Sequence, residues 1–275
     1  MKAAIVERPG ILNVRDVPEP EPGEYDALCR NLYASTCSGT DLHLVHGRFP
    51  KHVVYPTVLG HETVGRVVAV GPRVRHLDLG DLMTRSGTSG TPPPPGTRLA
   101  SNWGGYAEYG TVTDHRAMRE DSLDEATWKL RTAGKVVPPD VEPAVATMLI
   151  TWRETLSCLK RMGVSRGATV LLMGSGGVGL SFAAHCKHIG ARTIAMTGNG
   201  AREGVARAAG DLPGALAASA PNGFDFIVDI LGRKGLLDMA FPLLRPGGTA
   251  AIYGIDEVRA VTVDEFSHEV PSEIV

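Results

Sequence analysis

Short apolar and β-branched runs punctuate the first part of the chain. Residues 3–6, 25–34 and 64–70 carry the alternation or clustering expected of half-buried strands. Pro18, Pro20 and Pro22 interrupt any regular element between the first two runs. Residues 85–96, built from Ser, Gly, Thr and a run of prolines, suit neither a helix nor a central strand and predict an exposed loop. Around Pro138 and Pro139 the pattern changes. Apolar residues recur at helical spacing over 142–163, and strands then alternate with helices. The strands fall at 168–173, 192–196, 224–230 and 249–253, the helices at 178–189, 201–209 and 236–241, with Gly190 placed to end the first of these. Alternation of this kind predicts a parallel, doubly wound α/β sheet. Two domains are expected, 1–137 and 138–275, and no internal repeat is visible.

Composition narrows this only modestly. The chain has 275 residues, 43% of them hydrophobic and 21% charged, which suits a soluble globular protein with a sizeable core. A net charge of −2 with scattered Lys and Arg gives no nucleic-acid footprint; the densest group, Arg73 to Arg75, reads as a solvated turn. No apolar run reaches membrane-span length. The first eight residues meet charge too early for a signal peptide, so a cytoplasmic protein is the expectation. Cys29, Cys37, Cys158 and Cys186 form no Cys-x-x-Cys pair. Three of them are expected as buried small apolar residues, and Cys37, beside a polar turn, is the one with a functional reading. Trp103 and Trp152 are read as core aromatics, with pocket lining as the alternative.

Two motifs carry chemistry. Gly60-His61-Glu62 sets an imidazole and a carboxylate together at the start of a Val-rich strand, where both are natural ligands for a divalent metal. Gly174-x-Gly176-Gly177-Val178-Gly179 follows an apolar strand and opens a helix. That is the context in which glycines admit a pyrophosphate to a helix N-terminus. The segment from Thr197 to Arg202, at the end of the next strand, lacks the carboxylate of an NAD site. A hydroxyl and a nearby Arg suit the 2′-phosphate of NADP, the alternative being that Arg202 is a solvated helix charge. Gly254, ending the last strand, is counted with the cofactor contacts.

Ser38-Gly39-Thr40-Asp41-Leu42-His43, Gly60-His61-Glu62, Gly80-Asp81, Gly104-Gly105-Tyr106-Ala107-Glu108-Tyr109 and the Gly174 fingerprint together resemble the medium-chain dehydrogenase/reductase superfamily, in its zinc-type alcohol dehydrogenase-like form. The resemblance implies a GroES-like catalytic domain, a Rossmann domain and an active site in the cleft between them. It also implies hydride transfer between NADP(H) and a small alcohol or carbonyl. On the family pattern His61 and Glu62 fall at metal-ligand positions, Thr40 at the relay hydroxyl and His43 at the relay base. The first ligand position falls on Ser38, with Cys37 one residue early; on a strand Cys37 would face the opposite side unless a bulge returned it. The late ligand falls near Leu149 or Ile150, and Glu154, one turn on, is the substitute, or else a partner of Arg153 or Arg161. The structural-zinc lobe is not expected, because residues 82–105 hold no cysteine. Residues 114–133 are an added, helix-capable segment that shapes the cleft or a partner surface, and the C-terminal end is short by family measure. The edge strand through which family members often dimerise would be missing there, which leaves the oligomeric state open, a homodimer among the alternatives. Two other functions are weighed: a zinc-free enone or quinone reductase, in which Ser38 is no defect, and a cofactor-binding relative without turnover.

Overall fold

A computed structural model describes residues 1–37, 39–49, 53–87, 100–101, 104–198 and 212–255. Ser38, Trp103, Arg202 and the helix expected at 201–209 lie outside these. The chain divides into two compact units, Met1–Ile150 and Thr151–Val275. This division falls later than the 137/138 boundary expected from composition. The reason is packing: Val137, Val141, Ala146 and Leu149 bury against Val64 and Leu82, so the segment after the prolines belongs to the first unit's core.

Among its described residues the first unit has two four-stranded sheets. One runs β2 (Ile11–Asp16), β1 (Lys2–Arg8), β4 (Thr57–Val58), β7 (Ala100–Ser101). The other runs β6 (Leu82–Thr84), β5 (Glu62–Val70), β3 (Asp26–Ser35), β8 (Tyr109–Thr113). Strand β2, not expected, fits before Pro18 as an exposed edge; it pairs antiparallel with β1 while Ile11, Leu12 and Val14 stay in solvent. Strand β5 is buried along its first four residues, Glu62 to Gly65, and more open beyond, so its entry is the well-packed end. The short helix α1 (Thr40–Val45) follows β3.

The added segment forms α2 (His115–Glu120) and α3 (Glu125–Trp128), packed with Tyr25, Ala117, Met118, Leu123 and Trp128. Arg73 and Arg75 are exposed beside a turn, as the sequence suggests, and they also pair across it. Arg75 bonds the Ala117 carbonyl at 2.8 Å and pairs with Asp121 and Glu120, and Arg73 donates to the Tyr25 hydroxyl. The guanidinium groups find carboxylates on α2 and just after it that no local reading reveals. Asp114 closes the junction: its carboxylate accepts from the N–H groups of Ala117, Arg75 and His76.

After α4 (Pro143–Ala146) comes α5 (Leu149–Met162), which leads into the second unit. Its sheet is parallel in the order β10 (Thr193–Thr197), β9 (Thr169–Met173), β11 (Phe224–Asp229), β12 (Leu244–Ile252). Strand β9 is buried throughout, and its side chains alternate between two cores. Val170 and Leu172 join Leu159, Met162, Phe182 and Cys186, from α5 and α6 (Gly177–Ile189). Leu171 and Met173 join Leu216, Leu237 and Phe241 on the other face, with α7 (Leu212–Ser219) and α8 (Lys234–Ala240). Burial on both faces explains the continuous apolar strand. Full burial of Phe182 and Phe224 stabilises the unit by about 1.5–3 kcal/mol each. Cys29, Cys158 and Cys186 are buried free thiols as expected. Trp152 is not a core aromatic: its side chain is 38% exposed. No helix among the described residues is long and apolar enough to cross a membrane.

Candidate functional site

The chemistry of the first unit gathers where β3 ends and β5 begins. These strands pair antiparallel with Ser35 opposite Glu62, and the Ser35 hydroxyl donates to Glu62 Oε2 at 2.7 Å. His61, just before β5, is thereby delivered beside the turn that leaves β3. Cys37 lies in that turn, past the last strand residue, so face alternation no longer governs it. Its thiol is near enough to the His61 imidazole to be influenced by it, which favours the alternative in which Cys37 returns to the His-Glu side.

Asp41 is the residue that sequence reasoning passed over. It is buried on α1, with Oδ2 accepting from the Cys37 N–H at 2.9 Å and from the Tyr106 hydroxyl at 2.5 Å. Its other oxygen, Oδ1, faces His61 Nδ1 at 3.6 Å. Burial pushes the Cys37 thiol up, but the hydrogen bond and positive charge of His61 and the bonds from Thr40 outweigh it, and the pKa falls below the ordinary value. Burial alone would lower His61; Asp41 and Cys37 instead raise it to about 9. Tyr106 is pushed upward by burial and by Asp41, and keeps its proton.

Thr40 and His43 sit on α1. The Thr40 N–H and hydroxyl reach Cys37, and His43 Nδ1 lies 2.7 Å from the Gly39 carbonyl. A carbonyl only accepts, so Nδ1 carries the proton and Nε2 is the basic nitrogen of the neutral ring. Glu154 lies on α5, in the second unit, half-buried. A thiol with a loosened proton, a buried imidazole backed by a carboxylate, and the adjoining Glu62 form a donor set whose chemistry fits zinc. Among the described residues, no group of three or more His, Cys, Asp or Glu side chains is placed to hold a metal ion, so the fit is one of donor chemistry and not of geometry.

In the second unit the glycine-rich turn follows β9. Gly174 bonds through its N–H to the carbonyl of Thr197, the last residue of β10, and Gly176 caps α6. Gly179 has to be glycine: a Cβ there would overlap the Gly174 carbonyl, so helix and turn meet backbone to backbone. At Gly177, beside Val178 in the first turn, a Cβ would meet nothing within 4 Å, which leaves a bare helix N-terminus of the kind that admits a pyrophosphate. Strand β9 has β10 on one side and β11 on the other, so the turn leaves the sheet where strand order reverses. The loop after β11 is tied by Asp229, buried, whose carboxylate accepts from the N–H groups of Leu231, Gly232 and Arg233. Gly254 closes against this loop and donates to the Asp229 carbonyl at 3.0 Å.

Residues 23–121 match the family model of the alcohol dehydrogenase GroES-like domain. Over 277 residues the chain is 26% identical to a Mycobacterium tuberculosis protein assigned as a zinc-binding alcohol dehydrogenase, covering 96% of this chain and 70% of the relative. It is 29% identical over 275 residues to an aldehyde reductase of Escherichia coli, covering 88% and 73%.

Residues 23–121 are an alcohol dehydrogenase GroES-like domain, and the chain as a whole resembles the medium-chain dehydrogenases/reductases.

Its two units are the superfamily's GroES-like and Rossmann folds. A Sinorhizobium meliloti protein assigned as a zinc-binding dehydrogenase, solved bound to NADP, superimposes with a TM-score of 0.74. It is 26% identical, and the match covers 95% of this chain and 78% of that one. Within this family frame Asp41 and Tyr106 could have been sought as buried polar partners of the His-Glu pair. Both stood inside motifs already singled out.

Proposed function

We propose that the protein transfers a hydride between NADP(H) and a small alcohol or carbonyl, with a zinc ion held by Cys37, His61 and Glu62. The observation that supports this reading is the buried His61, with Asp41 Oδ1 3.6 Å from its Nδ1 while the other Asp41 oxygen holds the Cys37 N–H, within the matched alcohol dehydrogenase domain. Asp41 on the Nδ1 side of His61 favours a proton on that nitrogen and turns Nε2 into a metal donor. When bound, zinc supplies a Lewis acid for the substrate oxygen, and the nicotinamide supplies or takes the hydride.

The chain's own residues handle the proton. Thr40, in contact with Cys37, lies at the metal-binding turn and offers a hydroxyl to the substrate oxygen. His43, with its Nδ1 proton directed to Gly39, takes the released proton on Nε2 and passes it to solvent. Gly174, Gly176, Gly177, Val178 and Gly179 seat the pyrophosphate. The lack of a carboxylate at Thr197-Gly198, Arg202 in the following segment, and NADP in a similar solved structure support the preference for NADP(H).

The test pairs metal analysis with activity. Purified protein is expected to hold about one zinc per chain and to reduce members of an aldehyde panel faster with NADPH than with NADH. Chelation should abolish turnover. Undiminished activity in a demonstrably metal-free sample refutes the zinc and favours the enone or quinone reductase reading.

A further inference from the structure

We propose that Tyr106 is the positioning residue of the metal-binding turn, one hydroxyl aligning both His61 and Glu62 through two different holders. The proposal rests on the zinc reading above and deepens it. The Tyr106 hydroxyl lies 2.7 Å from the Ser35 carbonyl and 2.5 Å from Asp41 Oδ2. Ser35 is the residue whose own hydroxyl holds Glu62, and Asp41 is the one whose other oxygen faces His61. Carbonyl and carboxylate both only accept, so the single phenolic proton is shared between them and draws the end of β3 toward α1. Cys37 lies in the chain between these two anchors, and its N–H also reaches Asp41.

The ring is fixed as firmly as the hydroxyl. Tyr106 exchanges backbone bonds with Leu59 and Ala4, each at 2.8 Å, and the neighbouring Gly105 N–H donates to the Gly60 carbonyl at 2.8 Å. The ring lies against Gly60, whose φ of +97° and lack of a side chain are both required: a Cβ there would overlap the ring. The glycine preceding His61 is therefore the seat of Tyr106. A hydroxyl so held cannot follow its partners; they must settle on it.

Tyr106→Phe keeps the ring on Gly60 and removes only the O–H. The assay titrates cobalt(II) into metal-free, full-length protein, reading its ligand-field bands and its affinity against a chromogenic chelator. The Phe variant is expected to bind cobalt up to about 10-fold more weakly, the low end of the range for a direct partner of a metal ligand because Tyr106 acts one step further out, with altered bands. Tyr55→Phe, which removes a hydroxyl bonded to the Leu44 carbonyl, should leave affinity and bands unchanged. Asp41→Asn supplies a second variant that keeps side-chain shape, and the double variant should lose less than the two single losses combined. NADPH binding, read by fluorescence, reports that the other unit is intact. Cobalt binding by Tyr106→Phe equal to wild type in affinity and bands overturns the role of Tyr106 and leaves the metal reading standing. Fully additive losses also overturn it. Absence of cobalt uptake by the wild type overturns the metal reading and this proposal with it.

Discussion

Replacing Asp114 with Ala is the sharpest test of what holds the first unit together. The carboxylate is 2% exposed and accepts three backbone N–H groups: Ala117 at 3.0 Å, and Arg75 and His76 at 2.8 Å each. The first is a helix N-cap, worth about 1 kcal/mol. The other two are hydrogen bonds to a charged acceptor, worth about 1.5 kcal/mol each at the low end, and their donors would be left unsatisfied. A loss of roughly 3–4 kcal/mol follows, or a fall in Tm of roughly 10 °C for a unit of this size. Urea titration followed through the fluorescence of Trp128, which packs in the same cluster, measures it. Asp114→Asn keeps one oxygen for the cap but turns an amide toward two donors, and should recover less than half of the loss. The pH dependence has a definite sign. Burial pushes the carboxyl up, but the three N–H donors and His76 outweigh it and hold the pKa below the usual carboxylate range. The stabilisation is therefore complete above the unfolded-state value and drains away as pH falls through the folded one. Wild type and Asp114→Ala should converge only in strong acid. A Tm difference under about 1 °C at neutral pH would refute the reasoning.

Three further changes test the remaining sites. Gly179→Ala forces a methyl onto the Gly174 carbonyl, and the resulting strain of about 1–3 kcal/mol should weaken NADPH binding about 5- to 150-fold in a fluorescence titration; an unchanged Kd contradicts the backbone contact. His43→Asn should lower kcat roughly 100-fold with metal content intact, with added imidazole restoring part of it. Retained kcat would remove His43 from the relay. Asp229→Ala leaves three N–H groups of the loop after β11 without their acceptor and should destabilise the second unit by about 3 kcal/mol, read by chemical denaturation with NADPH absent.

The second unit was largely legible because its signals are local. Strand β9 is a run of five residues buried on both faces, and the glycines that follow answer to a turn, a helix start and a backbone contact within a few positions. The first unit hid more. The paired strands β3 and β5 were visible, yet the value of Ser35 depends on a register that sets it opposite Glu62 across the sheet. Asp41 and Tyr106, 65 positions apart, meet only after the chain between them has folded. Cys37 could be read either way, because it lies just past the point where the strand stops and alternation no longer places it. Arg73 to Arg75 read correctly as an exposed turn, but the carboxylates they pair with arrive from elsewhere in the chain. Pairing at a distance leaves no periodicity to read.

Gly60 and Tyr106 have a consequence for how the site can change over generations. A side chain at 60 demands a smaller residue at 106, and a smaller residue at 106 forfeits the hydroxyl that joins Ser35 to Asp41. Neither position can drift alone, and the double change that restores packing does not restore the tether. The pair should therefore show strong epistasis in a saturation library: combinations that fold will outnumber those that keep the tether. The tether can be lost in one step at residue 106, but once both positions have changed its recovery requires both residues to return.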